Sequence, residues 1–86
     1  MAAQVTVYTK DYCPYCQRAK ALLESLEQKY NEIDIGKHPN RKDEMVGLAG
    51  GRTTVPQIFV GDVHVGGCDD LFALHAKGKL LPLLKG

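Results

Sequence analysis

The chain has 86 residues, 44% hydrophobic and 24% charged, with a net charge of +1 at pH 7. That length supports one small domain, residues 1–86, with a modest core. The near-balanced charge gives no general attraction to nucleic acid or to an acidic membrane face. No stretch approaches the roughly 20 apolar residues of a membrane span.

The opening segment, MAAQVTVYTKDYC, alternates apolar and polar residues and has no continuous apolar stretch suited to an export signal. The expected compartment is the cytoplasm, where thiols are kept reduced. Three cysteines, Cys13, Cys16 and Cys68, make a fully paired disulfide framework unexpected. The histidines His38, His64 and His75 are scattered singly, so a closed zinc site with four ligands is a poor fit and no metal is expected.

In chain order, QVTVYT (4–9) has period-two alternation and β-branched residues, which predicts a strand. Ala19, Leu22, Leu23, Leu26 and Tyr30 then recur at helical spacing. NEIDI (31–35) reads as a second strand ended by Gly36. Pro39 suits the first turn of a second helix whose apolar side is Met45, Val46, Leu48 and Ala49 and whose stop is Gly50-Gly51. QIFV (57–60) and VHV (63–65) flank Gly61-Asp62, a hairpin signal. Gly66-Gly67 leads into a third helix carrying Leu71, Phe72 and Leu74 and stopped near Gly78. KLLPLL (79–84) packs as a short terminal turn or helix, with Pro82 disturbing it. The order β-α-β-α-β-β-α predicts a small mixed sheet with helices on its faces, since the first β-α-β implies a parallel pair and the hairpin adds antiparallel strands.

The segment DYCPYCQRAK (11–20) carries the chemistry. It falls where the first strand gives way to the first helix, a place where such sheets gather ligands. Pro14 fits the first helical position and places Cys13 at or beside the N-cap. A sulfur there faces free backbone N–H groups and the positive end of the helix dipole, which favours thiolate over thiol. Lys10, three residues earlier, adds positive potential. Cys16 lies one turn further in, on the side of Ala19, Leu23 and Leu26, and is expected to be less accessible. The asymmetry assigns attack to Cys13 and resolution of the resulting mixed disulfide to Cys16. Two inert core cysteines are the contrary reading, but a cap position is not a core position.

Cys-Pro-Tyr-Cys at the strand–helix junction, TVP at 54–56 and GGCDD at 66–70 together resemble the dithiol glutaredoxins, small bacterial type, of the thioredoxin-like superfamily. The similarity spans essentially the whole chain. It implies a thioredoxin-like α/β fold with a mixed four-stranded sheet, and a glutathione-dependent oxidoreductase that reduces protein disulfides and protein–glutathione mixed disulfides. Glutathione would be co-substrate, with no bound cofactor. The resemblance further implies a cis bond before Pro56, leaving the Val55 backbone to pair with the cysteinyl unit of glutathione. The N–H groups of Cys68 and Asp69 would receive the γ-glutamyl carboxylate, and the Asp69 side chain its ammonium. Gly66 and Gly67 would allow close approach, Lys10 would attract the glycyl carboxylate, Tyr15 would flank the thiol site, and Thr54 would contribute backbone or hydroxyl. Arg41 and Gln57 are secondary candidates.

Each assignment has a plainer reading. Asp69 and Asp70 suit any helix N-terminus, Lys10 is an ordinary surface lysine, and Tyr15 is an exposed aromatic. Thr54 is a strand residue, Cys68 a free thiol whose backbone matters more than its sulfur, and Arg52 and Arg41-Lys42 ordinary surface charge. The histidines receive no role. Three other functions share the fold. An iron–sulfur carrier would hold a cluster with Cys13 from two chains and two glutathiones, which Pro14 and Tyr15 crowd. A thioredoxin-type donor would lack the GGCDD anion site and Lys10, and a non-catalytic interaction module would tolerate loss of Cys13. The expected working unit is a monomer that meets glutathione and disulfide-containing or glutathionylated clients, without nucleic acid or membrane.

Overall fold

The computed structural model describes residues 4–11 and 13–85. Eight elements follow one another: β1 (Val5–Thr9), α1 (Pro14–Ser25), β2 (Asn31–Asp34), α2 (Arg41–Leu48), β3 (Gln57–Val60), β4 (Val63–Gly66), α3 (Cys68–Ala76) and α4 (Leu80–Leu84). The sheet order is β2-β1-β3-β4. Strand β1 runs parallel to β2, with Tyr8 opposite Ile33, and antiparallel to β3, with Tyr8 opposite Gln57. The β3–β4 hairpin turns at Gly61, whose φ of +58° suits a residue without a side chain.

Alternation along the strands divides the core. Val5, Val7, Ile58 and Val60 point to one face and pack with Ala19 and Leu23 of α1, Leu71 of α3, and Leu80 and Leu84 of α4. Tyr8 and Phe59 point to the other face and pack with Ile35, Met45 and Ala49 around α2. The result is a three-layer sandwich with the sheet in the middle. Among the described residues no helix is long and apolar enough to cross a membrane.

Two boundaries depart from the sequence expectation. The second helix begins at Arg41 rather than at Pro39, because Asp34 ends β2 in a tight turn. Its carboxylate accepts the N–H groups of Gly36 at 2.8 Å and Lys37 at 3.1 Å, and Pro39 lies in the turn that follows. Strand β2 accordingly stops one residue before Ile35, although the Ile35 N–H still donates to the Thr9 carbonyl at 2.9 Å. The terminal segment is a true helical turn, and Pro82 is no obstacle there. As the third residue of α4 it lies in the first turn, where an N–H has no helical partner to lose.

Helix α2 is tied to the sheet by a polar contact. The buried Tyr8 hydroxyl donates to Glu44, whose carboxylate also accepts from Arg41 Nη2 at 2.8 Å. Burial first, and then the Glu44 bond, push the Tyr8 phenol up to about 12. A tyrosine in the unfolded chain ionises near about 10, so the folded state holds this proton longer. The stabilisation is complete below about pH 10 and is lost as pH rises towards 12. Tyr8→Phe is therefore expected to cost about 1 kcal/mol at pH 7, with the gap to wild type closing above pH 10. Urea unfolding at pH 7 and pH 11 measures both, and a constant gap would contradict the account.

Candidate active site

The strand register brings three loops to one end of the sheet. Because β1 and β3 are antiparallel, the end of β1 at Tyr8 faces the start of β3 at Gln57. Because β3 and β4 are antiparallel too, the end of β4 at Gly66 faces Ile58 at that same end. Residues 10–11 with Cys13, the segment 52–56 and the segment 67–70 thus converge from three neighbouring strands.

The first segment ends in Cys13, the N-cap of α1, with extended backbone (φ −105°, ψ 102°) and Pro14 after it. Its Sγ accepts the Cys16 N–H at 3.3 Å, the bond a serine or aspartate makes as a helix cap. It also lies 3.8 Å from the Val55 carbonyl oxygen, to which a protonated Sγ can donate. Cys16 is 1% exposed, and its thiol is pushed up to about 12, chiefly by burial and then by its contact with Cys13. Cys68 is buried as well, and burial pushes its thiol up. The two buried sulfurs are therefore protonated at neutral pH, whereas Cys13 is part-exposed at a helix N-terminus.

The second segment runs through Thr54 and Val55 into a cis Val55–Pro56 bond. The third enters α3 through Gly66, whose φ of +118° favours glycine and whose Cβ position is occupied by the Asp70 carboxylate. Asp70 accepts the Gly67 N–H at 2.9 Å and Arg52 Nη1 at 3.1 Å, and both contacts hold its carboxyl below the usual range. The N–H groups of Cys68 and Asp69, in the first turn of α3, have no carbonyl of their own helix to meet.

These segments enclose a groove of about 270 Å³ lined by Tyr15, Arg52, Thr54, Val55, Pro56, Gly67, Cys68, Asp69 and Asp70. Tyr15 stands at its edge, 54% exposed. Thr54 and Val55 also border a second hollow of about 550 Å³ on their other side, lined by Lys10, Lys42, Gly36 and Thr53 among others. Every site residue named from the sequence therefore lies in the converging loops or lines one of the two hollows, except Cys16, which lies beneath Cys13. The secondary candidates are elsewhere. Arg41 is engaged by Glu44, and Gln57 is fully buried behind Thr54, so neither lines the groove. Arg52, read as surface charge, lines it and pairs with Asp70. Its partner stands 18 positions away, and only the folded hairpin brings the two together. Among the described residues no three His, Cys, Asp or Glu side chains converge as a metal-binding group.

A family model described as Glutaredoxin matches residues 5–65. The chain belongs to the glutaredoxin family. It is 54% identical to Glutaredoxin 3 of Escherichia coli K12 over 83 residues, covering 96% of this chain and 99% of that relative. The solution structure of glutaredoxin from Brucella melitensis is 54% identical and superposes with a TM-score of 0.85, covering 98% of this chain and 90% of that one. A buckwheat glutaredoxin–glutathione complex superposes equally well (TM-score 0.85) at 34% identity, over 95% and 76% of the two chains. This glutaredoxin accordingly has the thioredoxin-like fold and is a glutathione-dependent thiol–disulfide oxidoreductase. The assignment favours neither the thioredoxin-type donor nor the cluster carrier.

The part-exposure of Cys13 and the burial of the protonated Cys16 and Cys68 thiols predict a selective reaction. One equivalent of iodoacetamide at pH 7 is expected to label Cys13 and to spare Cys16 and Cys68, while all three react in denaturant. Peptide mass spectrometry reads the sites, and labelling shared equally among the three would contradict the geometry.

Proposed function

We propose that Cys13 is the attacking thiolate and Cys16 the resolving thiol, and that glutathione lies along Thr54–Val55 with its two ends in the two hollows. The observation that carries this reading is the Cys16 N–H directed at Cys13 Sγ, with the helix N-terminus behind it to favour negative charge. At one end Lys10 attracts the glycyl carboxylate. At the other, the N–H groups of Cys68 and Asp69 receive the γ-glutamyl carboxylate, and the Asp69 side chain takes the ammonium. Between them the Val55 backbone pairs with the cysteinyl unit, Pro56 fixes the turn, Tyr15 covers the sulfur, and Gly67 keeps the approach open. The likeness to the buckwheat glutaredoxin–glutathione complex supports this placement.

With a protein–glutathione mixed disulfide, Cys13 S⁻ attacks the glutathione sulfur. The S–S bond breaks, the protein thiolate leaves and takes a proton, and glutathione stays on Cys13. A second glutathione thiolate attacks that glutathione sulfur, so oxidised glutathione departs and Cys13 S⁻ is restored. With an intramolecular disulfide, Cys13 attacks one sulfur and the client's second sulfur leaves as thiolate. Cys16 then attacks Cys13 Sγ, its proton passes to the departing thiolate, and a Cys13–Cys16 bridge remains. Two glutathiones reduce it, leaving oxidised glutathione.

The timing of the resolving step follows from electrostatics. Burial is the largest cause holding the proton on Cys16, and the other two raising causes come from Cys13. Once Cys13 becomes a neutral disulfide sulfur, its charge no longer opposes ionisation of Cys16. The resolving thiol is thus restrained until there is something to resolve. In this reading the protein acts as a monomer on glutathionylated or disulfide-bonded clients in the cytoplasm, without a resident cofactor.

Cys13→Ser is expected to reduce both reactions to background. Cys16→Ser keeps deglutathionylation of a peptide and loses reduction of an intramolecular protein disulfide. Equal loss of both in Cys16→Ser would overturn the roles. Lys10→Met is expected to raise KM for a glutathionylated peptide about three- to tenfold, the loss of one solvent-exposed charge contact. An unchanged KM would remove Lys10 from the site.

A further inference from the structure

Gln57 is the first residue of β3, and the other three residues of that strand are apolar and buried with it. A fully buried amide is costly unless every polar atom is matched, and this one is. Its Nε2 donates to the Thr54 carbonyl at 3.0 Å and to Thr54 Oγ1 at 3.2 Å. A carbonyl can only accept, so the amide orientation is decided: Nε2 faces Thr54 and Oε1 faces away from it. Oε1 lies 2.7 Å from His64 Nε2, and His64 stacks on Phe59 with ring centroids 4.9 Å apart. Because Oε1 is an acceptor, the hydrogen must sit on His64 Nε2. The direction of every bond in the chain His64–Gln57–Thr54 follows.

At its other end this chain reaches the segment that separates the two hollows. Thr54 Oγ1 receives the Gln57 N–H, so its own hydroxyl hydrogen is free to donate toward the groove that Thr54 lines. The Thr54 carbonyl, held from behind, fixes the peptide plane leading into Val55. We propose that Gln57 is a positioning residue for glutathione, oriented by His64, and that it works by holding Thr54 so that the Val55 backbone and the Thr54 hydroxyl meet the tripeptide in a single arrangement. The inference rests on the glutathione placement given under Proposed function. It adds two residues that lie outside the groove.

The test uses full-length protein and a glutathionylated peptide, with glutathione as reductant. Gln57→Met keeps the volume and removes the bonds. It is expected to raise KM for the peptide about fivefold, the loss of a neutral hydrogen bond, while kcat moves by less than twofold. His64→Phe keeps the stack on Phe59 and removes the N–H, and is expected to raise KM about twofold. Because the two residues act in series, Gln57→Met/His64→Phe is no worse than Gln57→Met alone. An unchanged KM in both single variants, additive effects, or a loss confined to kcat would overturn the proposal. If Gln57→Met does not fold, His64→Phe carries the KM comparison, and long-range 15N NMR of the wild type carries the rest. A hydrogen found on His64 Nδ1 rather than Nε2 would also overturn it. A wild-type enzyme that turns over the peptide without saturating would instead remove the glutathione placement itself, and this inference with it.

Discussion

The 3.3 Å approach of the Cys16 N–H to Cys13 Sγ is the contact on which the site depends. A helix start leaves donors without partners, and a protein ordinarily gives them an oxygen. Here the cap atom is a sulfur, so the group that closes the helix is also the group proposed to react. Structure and chemistry share one bond. Pro14 contributes by taking the first helical position, where its missing N–H costs nothing and its fixed φ starts the turn that aims the Cys16 amide.

From that contact the three sulfurs acquire different characters. Cys13 is part-exposed and accepts the Cys16 N–H, whereas Cys16 and Cys68 are buried, and burial disfavours charge on them. Three identical side chains are separated by environment alone, through placement at a cap, one turn into a helix, and at the buried start of another. Cys68 contributes to the groove through its position in α3 while its side chain belongs to the buried core cluster that includes Leu71 and Ile58.

Much of this was legible in the chain. Period-two alternation in Val5, Val7 and Ile58, Val60 marked the strands, and the i, i+3, i+4 pattern of Ala19, Leu22 and Leu23 marked the first helix, because burial on one face repeats with the geometry of each element. The cap role of Cys13 followed from Pro14 beside it. The start of α2 did not follow from Pro39, because a proline in a turn and a proline in a first helical turn share the same φ. The Asp34 turn that decides between them is a side-chain contact without a periodic signature. Arg52 and Gln57 were harder still. A basic residue and an amide look equally solvated in one dimension, and their partners stand 18 and 7 positions away. Long-range polar pairs of this kind become visible only when the sheet register is known.

The register also explains why so small a chain can build a site with so many parts. One end of three adjacent strands presents the N-terminus of α1, the backbone before β3 and the N-terminus of α3 within a single groove. Two of those parts are helix starts whose first N–H groups have no partner within the helix, and the third is the backbone that leads into the cis Val55–Pro56 bond. A buckwheat relative sharing only 34% of its residues with this chain still superposes at a TM-score of 0.85. The backbone that lines the groove is placed by the sheet register, and the register belongs to the fold rather than to any one side chain.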